Sequence, residues 1–146
     1  MSPGGVRTLP LEAFFEGAKQ TALRQDELLV EIRVPQPPPR SAYSFQRTAR
    51  SAVDIALVNA AVRLTMDEQE RISLARITLG AVAPVPQRSK AAEEMLLGRR
   101  IDRVDGVLLD QASGCAAADT RPITDVRTSA AYRKQVAKVL VRRGLD

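Results

Sequence analysis

Apolar and polar positions alternate along the first half of the chain, which is the period of a β-strand. Apolar residues at positions 28, 30, 32 and 34 predict a half-buried strand over residues 27–34, which Pro35 ends. The alternation returns over residues 41–49, 56–65 and 71–82, with a polar turn at 66–70. Because short polar turns join neighbouring strands directly, these segments predict an antiparallel meander.

The second half changes to helical spacing. Residues 89–98 predict a short helix that ends at Gly98, and residues 101–118 predict a second helix, in which Gly106 and Gly114 each cost about 1 kcal/mol relative to Ala. Residues 128–145 predict the longest helix, with an apolar stripe formed by Tyr132, Val136, Val139 and Leu140. A shorter helical turn is expected over residues 9–17. Strands followed by helices predict an α+β fold: an antiparallel sheet of three to four strands with about three helices packed on one face.

The length of the chain fits one domain. With 146 residues, it is expected to form a single domain over residues 9–146, preceded by a linker or remnant over residues 1–8. Aromatic residues make up only 3% and Trp is absent, so Ala, Val, Leu and Ile must build the core. Cys115 is the only cysteine, and we interpret it as a small buried apolar residue. No signal peptide or membrane-spanning run is visible, so a cytoplasmic protein without membrane contact is expected.

The net charge of +5 raises the possibility of nucleic-acid binding. The positive residues are spread along the chain, apart from one cluster at Arg133, Lys134, Lys138, Arg142 and Arg143. Nucleic-acid-binding proteins usually add a concentrated basic stripe or stacking aromatic residues. We therefore interpret the cluster as the solvated or partner-facing side of the last helix and expect no nucleic acid.

The sequence contains few residues that could carry catalysis. Histidine is absent, which removes the commonest general base and metal ligand. With a single cysteine, neither a zinc site nor an iron–sulfur site can be assembled. The eight glycines are scattered, so no dinucleotide-binding or phosphate-binding loop is formed. An enzyme that acts on its own is not expected.

Four stretches, in order, carry a resemblance to a known family: residues 14–35, 43–62, 79–98 and 122–133. They include Phe14-Phe15-Glu16-Gly17, Leu79-Gly80-Ala81-Val82-Ala83-Pro84 and Thr128-Ser129-Ala130-Ala131-Tyr132-Arg133. Together they resemble the C-terminal part of the FAD-binding medium subunits of molybdenum hydroxylases, the xanthine dehydrogenase and carbon monoxide dehydrogenase group. The resemblance extends from about Leu9 to Leu145.

The resemblance implies an accessory role in an oxidoreductase. In this family an N-terminal part holds the FAD diphosphate, and a C-terminal α+β domain closes over the flavin. We therefore expect this chain to lack the N-terminal FAD-binding domain, to have no catalytic residues of its own and to bind FAD weakly or not at all when alone. The partners implied are that missing domain or subunit, and the iron–sulfur and molybdenum subunits that pass electrons to the flavin.

The resemblance also implies which residues approach the cofactor. The segment matching residues 45–55 lies nearest the isoalloxazine ring in the family, which gives the candidate cofactor-binding residues Gln46, Arg47, Arg50, Asp54 and Ile55. Gln46 stands where many relatives carry a lysine, so it supplies a hydrogen-bond donor without a charge. No catalytic or metal-binding residue is implied.

Simpler interpretations of the same residues stay open. Asp54 could cap a turn, Ile55 could belong to the core, and Asp125 with Arg127 could form a local pair at the start of a helix. The rival hypothesis for the whole chain is an interaction or assembly module without flavin. That hypothesis gains if residues 45–55 are folded into the core with Gln46 and Asp54 satisfied internally.

Overall fold

The chain folds as two units, Met1–Pro37 and Pro38–Asp146. The structure is a computed structural model that describes all 146 residues. The boundary falls within the triple-proline run Pro37-Pro38-Pro39, which the sequence predicts to be a stiff linker or turn. The expected division into residues 1–8 and 9–146 stays a prediction.

The first unit contains little regular structure. A 3₁₀ turn over Leu11–Ala13 precedes two short antiparallel strands, β1 (Phe15–Gly17) and β2 (Gln20–Thr21). The expected helical turn is thus confined to three residues. The strand predicted over residues 27–34 is wrong for this structure, because no neighbouring strand of the unit supplies a ladder of hydrogen bonds.

The second unit begins with an antiparallel sheet. Its strands are β3 (Ser41–Thr48), β4 (Val58–Met66), β5 (Ile72–Gly80) and β6 (Gln87–Arg88), paired in that order. The β4–β5 turn is fixed by the Asp67 carboxylate, which accepts hydrogen bonds from the backbone N–H groups of Gln69 and Arg71. The predicted meander of three to four strands is confirmed.

Three helices follow the sheet: α1 (Lys90–Leu96), α2 (Gly106–Ala118) and α3 (Ala130–Leu145). Helix α3 packs on β3 and β4, α1 packs on β5, and α2 packs on both helices, which gives the α+β layering expected. The helix predicted over 101–118 is divided, because a 3₁₀ turn at Ile101–Arg103 ends before the Asp105 carboxylate caps α2. Gly106 consequently starts the helix instead of weakening its interior.

The core lies between the sheet and the helices. Every buried residue of the chain belongs to the second unit, and the largest fully buried side chains are Ile72, Ile77, Leu79 and Leu96. The predicted apolar stripe of α3 is wrong in part, because Tyr132 and Val139 are 45% and 41% exposed. The stripe that faces the core consists of Arg133, Ala137, Leu140, Val141 and Leu145. Cys115 is half-buried against the core, and burial raises the pKa of its thiol.

Candidate functional site

The candidate residues lie at the end of the edge strand β3 and in the loop that joins it to β4. Strand alternation sends neighbouring side chains of β3 to opposite faces of the sheet. Phe45 pairs with exposed Ala61, whereas Gln46 pairs with fully buried Ala60. Phe45 and Arg47 therefore share the outer face of the sheet, and Gln46 lies on the face that the helices cover.

The loop after β3 is held by Arg47, near the end of β3, and by Arg50 within the loop. Arg47 donates from Nη2 to the backbone oxygen of Ala52 at 3.3 Å and also to the backbone oxygen of Asp54. Arg50 donates from Nε to the Asp54 carboxylate at 3.2 Å. Because these bonds fold the loop back on the end of β3, Arg47, Arg50 and Asp54 come together and Ile55 follows directly.

Gln46 is separated from that group. It is half-buried, and its Nε2 donates to Ser44 Oγ, also on the helix-covered face, at 3.0 Å. The structure therefore brings together four of the five candidate residues and places the fifth on the opposite side of the strand. Their role in cofactor binding stays a prediction.

The loop presents an apolar surface next to positive charge. Val53 is 95% exposed, Ile55 68% and Phe45 66%, so all three side chains are largely available for contact. Arg47 and Arg50 are exposed beside them. Exposed apolar side chains next to hydrogen-bond donors and positive charge are suited to contact with a ligand that is largely apolar and has a polar edge. Val53 and Phe45 join the candidates on exposure, which the sequence pattern alone does not reveal.

A buried arginine supports the far end of this loop. Arg133 is only 2% exposed, and its Nη1 donates to the backbone oxygens of Leu57 at 2.6 Å and Ala81 at 3.2 Å. Its Nη2 donates to both oxygens of the Asp125 carboxylate at 2.9 Å. The side chain thus joins the start of β4, the turn after β5 and the loop before α3.

Asp125 is the acidic centre of this arrangement. Hydrogen bonds from Arg127 first, and also from Arg133, hold the pKa of its carboxyl far below the ordinary value. Asp125 with Arg127 does form the local pair considered from the sequence. The interpretation of the basic cluster as a solvated or partner-facing surface is wrong for Arg133, because that side chain is buried.

Sequence reasoning missed Arg133, although its position carried a signal. Arg133 stands four residues before Ala137 and seven before Leu140, both of which are buried. A charged residue at a core position of a helix requires a buried partner, so the spacing itself could have indicated a structural ion pair.

Two further observations concern metal ligands and membrane-spanning helices. No three histidine, cysteine, aspartate or glutamate side chains are grouped so that they could hold a metal ion. None of the helices combines the length and the apolar character that crossing a membrane requires.

Comparison with protein families gives a match over most of the chain. Residues 43–146 match the model of the CO dehydrogenase flavoprotein C-terminal domain. The carbon monoxide dehydrogenase medium chain of Afipia carboxidovorans is 35% identical over 144 residues, which cover 99% of this chain and 49% of that protein. The putative xanthine dehydrogenase FAD-binding subunit of Escherichia coli is 28% identical, with coverage of 97% and 48%.

Solved structures agree with the sequence matches. Carbon monoxide dehydrogenase from Hydrogenophaga pseudoflava superposes with a TM-score of 0.90 at 34% identity, over 98% of this chain and 48% of that one. Quinoline 2-oxidoreductase from Pseudomonas putida 86 gives a TM-score of 0.86 at 30% identity, with the same coverage. The chain spans about half the length of the relatives it matches.

Proposed function

Because the chain belongs to the family of CO dehydrogenase flavoprotein C-terminal domains, we propose that it forms one wall of an FAD site in the electron-transfer subunit of a molybdenum hydroxylase. The relatives are medium subunits of such enzymes, and one is named an FAD-binding subunit. The observation that carries the proposal is the exposed apolar surface formed by Phe45 of β3 and by Val53 and Ile55 of the loop after β3, beside two arginines.

The chemistry of the loop suits a flavin. The ring system is planar and largely apolar, so it gains from contact with exposed apolar side chains, while its polar edge and its reduced, anionic form gain from guanidinium groups. Arg47 and Arg50 supply that positive charge, and their bonds within the loop fix its shape. Preorganised donors lose less conformational entropy when a ligand arrives.

The remaining parts of the site belong to the proposed partners. Glycine-rich turns commonly hold the diphosphate of a dinucleotide, and this chain contains no such sequence motif. A second polypeptide segment would hold the diphosphate, and iron–sulfur and molybdenum subunits would deliver the electrons. We accordingly expect little FAD binding by this chain alone.

The first test measures flavin capture. The chain would be purified alone and after co-expression with the complementary half, meaning the part of the Afipia carboxidovorans medium chain that this chain does not match. We expect a flavin absorption spectrum only in the co-expressed material. A dissociation constant of about 1 μM or tighter for FAD and the chain alone would contradict the proposal.

A pair of variants examines the loop itself. Ile55→Asp places a charge on the proposed wall and should weaken FAD binding by the complex at least about tenfold, because an apolar contact with the ring is lost and a carboxylate must be desolvated. Val126→Asp is the matched control, since Val126 is 101% exposed and lies outside the loop. Equal affinities for both variants would indicate that the loop does not face the flavin.

The alternative is an interaction module without flavin. One observation favours it: Gln46 and the Asp54 carboxylate both have partners within the chain. However, the loop is not folded into the core, because Val53 and Ile55 are exposed. A stable complex with the complementary half that contains no flavin would support the alternative.

A further inference from the structure

The outer face of the sheet, which the helices leave uncovered, carries positive charge without acid. The strand registers place Tyr43, Arg63 and Arg76 side by side in one row across β3, β4 and β5. Two further rows of the same face consist of Phe45, Ala61 and Thr78, and of Arg47, Asn59 and Gly80. These three rows contain no aspartate or glutamate, although the chain has 17 such residues. The arginines of the rows are therefore not neutralised within them.

Arg63 is the least satisfied side chain of this face. Its Cζ lies 5.8 Å from the centre of the Tyr43 ring, so a cation–π contact holds the guanidinium in place. Its Nε is buried and has no acceptor, and the guanidinium makes no hydrogen bond or ion pair within the chain. Buried donors of folded proteins nearly always have a partner, so an orphaned one indicates a bound group that supplies the acceptor.

Arg76 adds a second positive charge directly opposite Arg63 on the neighbouring strand. Like charges in that position destabilise a sheet. The nearest acid, Glu93, lies 3.7 Å from Arg76 Nη1, which is too long for a hydrogen bond. The Glu93 carboxylate already accepts a backbone N–H at 2.9 Å and binds Arg88 through both oxygens. One carboxylate thus lies between two arginines, and Arg63 keeps its whole charge.

A shallow recess adjoins the two arginines. Ala61 follows Arg63 on the same face, and its small side chain stands between those of Phe45 and Thr78 on the neighbouring strands. The two flanking residues are two strand spacings apart, about 10 Å, and their side chains narrow the opening further. A helix with its side chains is about 10–12 Å wide, so the recess suits a small molecule and not a helix.

We propose that Arg63 and Arg76 bind the carboxylate or phosphate group of a small-molecule ligand whose remaining part lies over Ala61. A guanidinium forms charge-assisted, often paired hydrogen bonds with such oxyanions. The oxyanion supplies acceptors to Arg63 and offsets the repulsion between the two arginines. The exposed ring of Tyr43 gives the site a flat apolar border.

The oxyanion site is distinct from the proposed flavin wall. Tyr43 precedes Arg47 by four residues, which corresponds to about 13 Å along β3. Phe45 lies between these two residues and borders both surfaces. The inference does not require FAD, so it stands or falls independently of the proposed function.

Nuclear magnetic resonance of the arginine Nε–Hε groups tests the site in the full chain. Sodium phosphate and sodium acetate would be added separately, with sodium chloride at equal ionic strength as the reference. We expect the Arg63 resonance to shift saturably with at least one of the two oxyanions, with a dissociation constant of about 10 mM or tighter, and not with chloride. The stronger of the two responses identifies the ligand as a phosphate or a carboxylate. Absence of a shift with both oxyanions overturns the inference.

A pair of variants tests the role of Arg63. Arg63→Met should weaken oxyanion binding at least about tenfold, followed at the Arg76 resonance, because one of the two guanidinium groups is lost. Without oxyanion, Arg63→Met should unfold at the same or a higher temperature than the unaltered chain, since an orphaned donor and a like-charge pair disappear. Arg121→Met, at an exposed arginine outside the sheet, is the matched control and should bind as the unaltered chain does. Equal affinities of the two variants overturn the inference.

Two other results would also contradict the site. Phosphate or acetate that shifts the resonances of exposed Arg71 and Arg99 as much as that of Arg63 indicates general attraction to positive charge, which overturns a specific site. An Arg63 resonance that ignores both anions but shifts when the complementary half binds assigns the acceptor to a protein carboxylate, which overturns the small-molecule ligand.

Discussion

Arg133 joins three segments of the second unit through one side chain. Its guanidinium contacts the backbone oxygens of Leu57 and Ala81 and the carboxylate of Asp125. Since Leu57 closes the loop that carries Ile55, this buried contact fixes one end of the candidate flavin wall. The guanidinium group of arginine is planar and carries five N–H donors, so it can bond all three of these acceptor groups in fixed directions. A lysine ammonium, a compact point charge with three donors, is less suited to this arrangement.

Loss of Arg133 should destabilise the second unit. In Arg133→Met the two carbonyl oxygens lose a charged donor, and burying an unsatisfied polar group is costly, so we expect the free energy of unfolding to fall by about 2 kcal/mol or more. Urea unfolding followed by circular dichroism measures the change. Arg143→Met, an exposed position on the same helix, is the control and should change stability by less than about 0.5 kcal/mol. Equal effects of the two substitutions would contradict the structural role.

Individual side-chain contacts were the least predictable feature of the sequence. Alternation places Phe45 and Arg47 on one face of β3, and the structure agrees. The partners of Arg47 and Arg50 depend on how the loop after β3 folds back, which no periodicity encodes. Arg133 was misjudged because charge was taken as evidence of exposure, although its contacts with Leu57 and Ala81 span distant parts of the chain.

At the scale of elements, periodicity predicted the second unit well. The strands expected over 41–49 and 71–82 are observed at Ser41–Thr48 and Ile72–Gly80. The strand expected over 27–34 is absent, because a strand exists only with a neighbour and the pattern does not say whether the neighbour is present. The predicted stripe of α3 was rotated about the helix axis, since Arg133 and not Tyr132 is the buried side chain of the first turn.

Two helical glycines should respond in opposite ways to alanine. At Gly114, within α2, an added Cβ meets no atom within 4 Å, so Gly114→Ala should stabilise the protein by about 0.5–1 kcal/mol through the entropy of the unfolded chain. At Gly144, near the end of α3, the Cβ would lie 2.9 Å from Cγ2 of Val62, a buried side chain of β4 that has little rotamer freedom.

Gly144→Ala should therefore be the less stable of the two variants. The helix would have to move away from the sheet to admit the methyl group, and overpacking a well-packed contact costs about 1–3 kcal/mol. Thermal unfolding of both variants gives the comparison, and each serves as the control for the other. If Gly144→Ala raised the unfolding temperature as much as Gly114→Ala, the close contact between α3 and β4 would be contradicted.

At the scale of the whole molecule, the sequence indicated the family, while the expected division into residues 1–8 and 9–146 stays a prediction. The resemblance from about Leu9 to Leu145 is confirmed by the family match and by the solved relatives. Apolar residues of the first unit, such as Val30 and Ile32, have the same spacing as core residues of β4. Only the structure shows that Val30 and Ile32 are exposed and that the core residues of β4 are buried, because burial depends on which layers of the fold are present.

The division into units predicts that residues 38–146 fold alone. All buried residues lie in this part, so removal of residues 1–37 takes no side chain from the core. The shortened chain should unfold cooperatively, with a midpoint within about 5 °C of the full chain, a shift that corresponds to roughly 1 kcal/mol for a domain of this size. Removal of residues 130–146 is the control, and it should abolish cooperative unfolding because buried Leu140 and Val141 are lost. A fall of more than about 10 °C on removal of residues 1–37 would mean that the first unit stabilises the second.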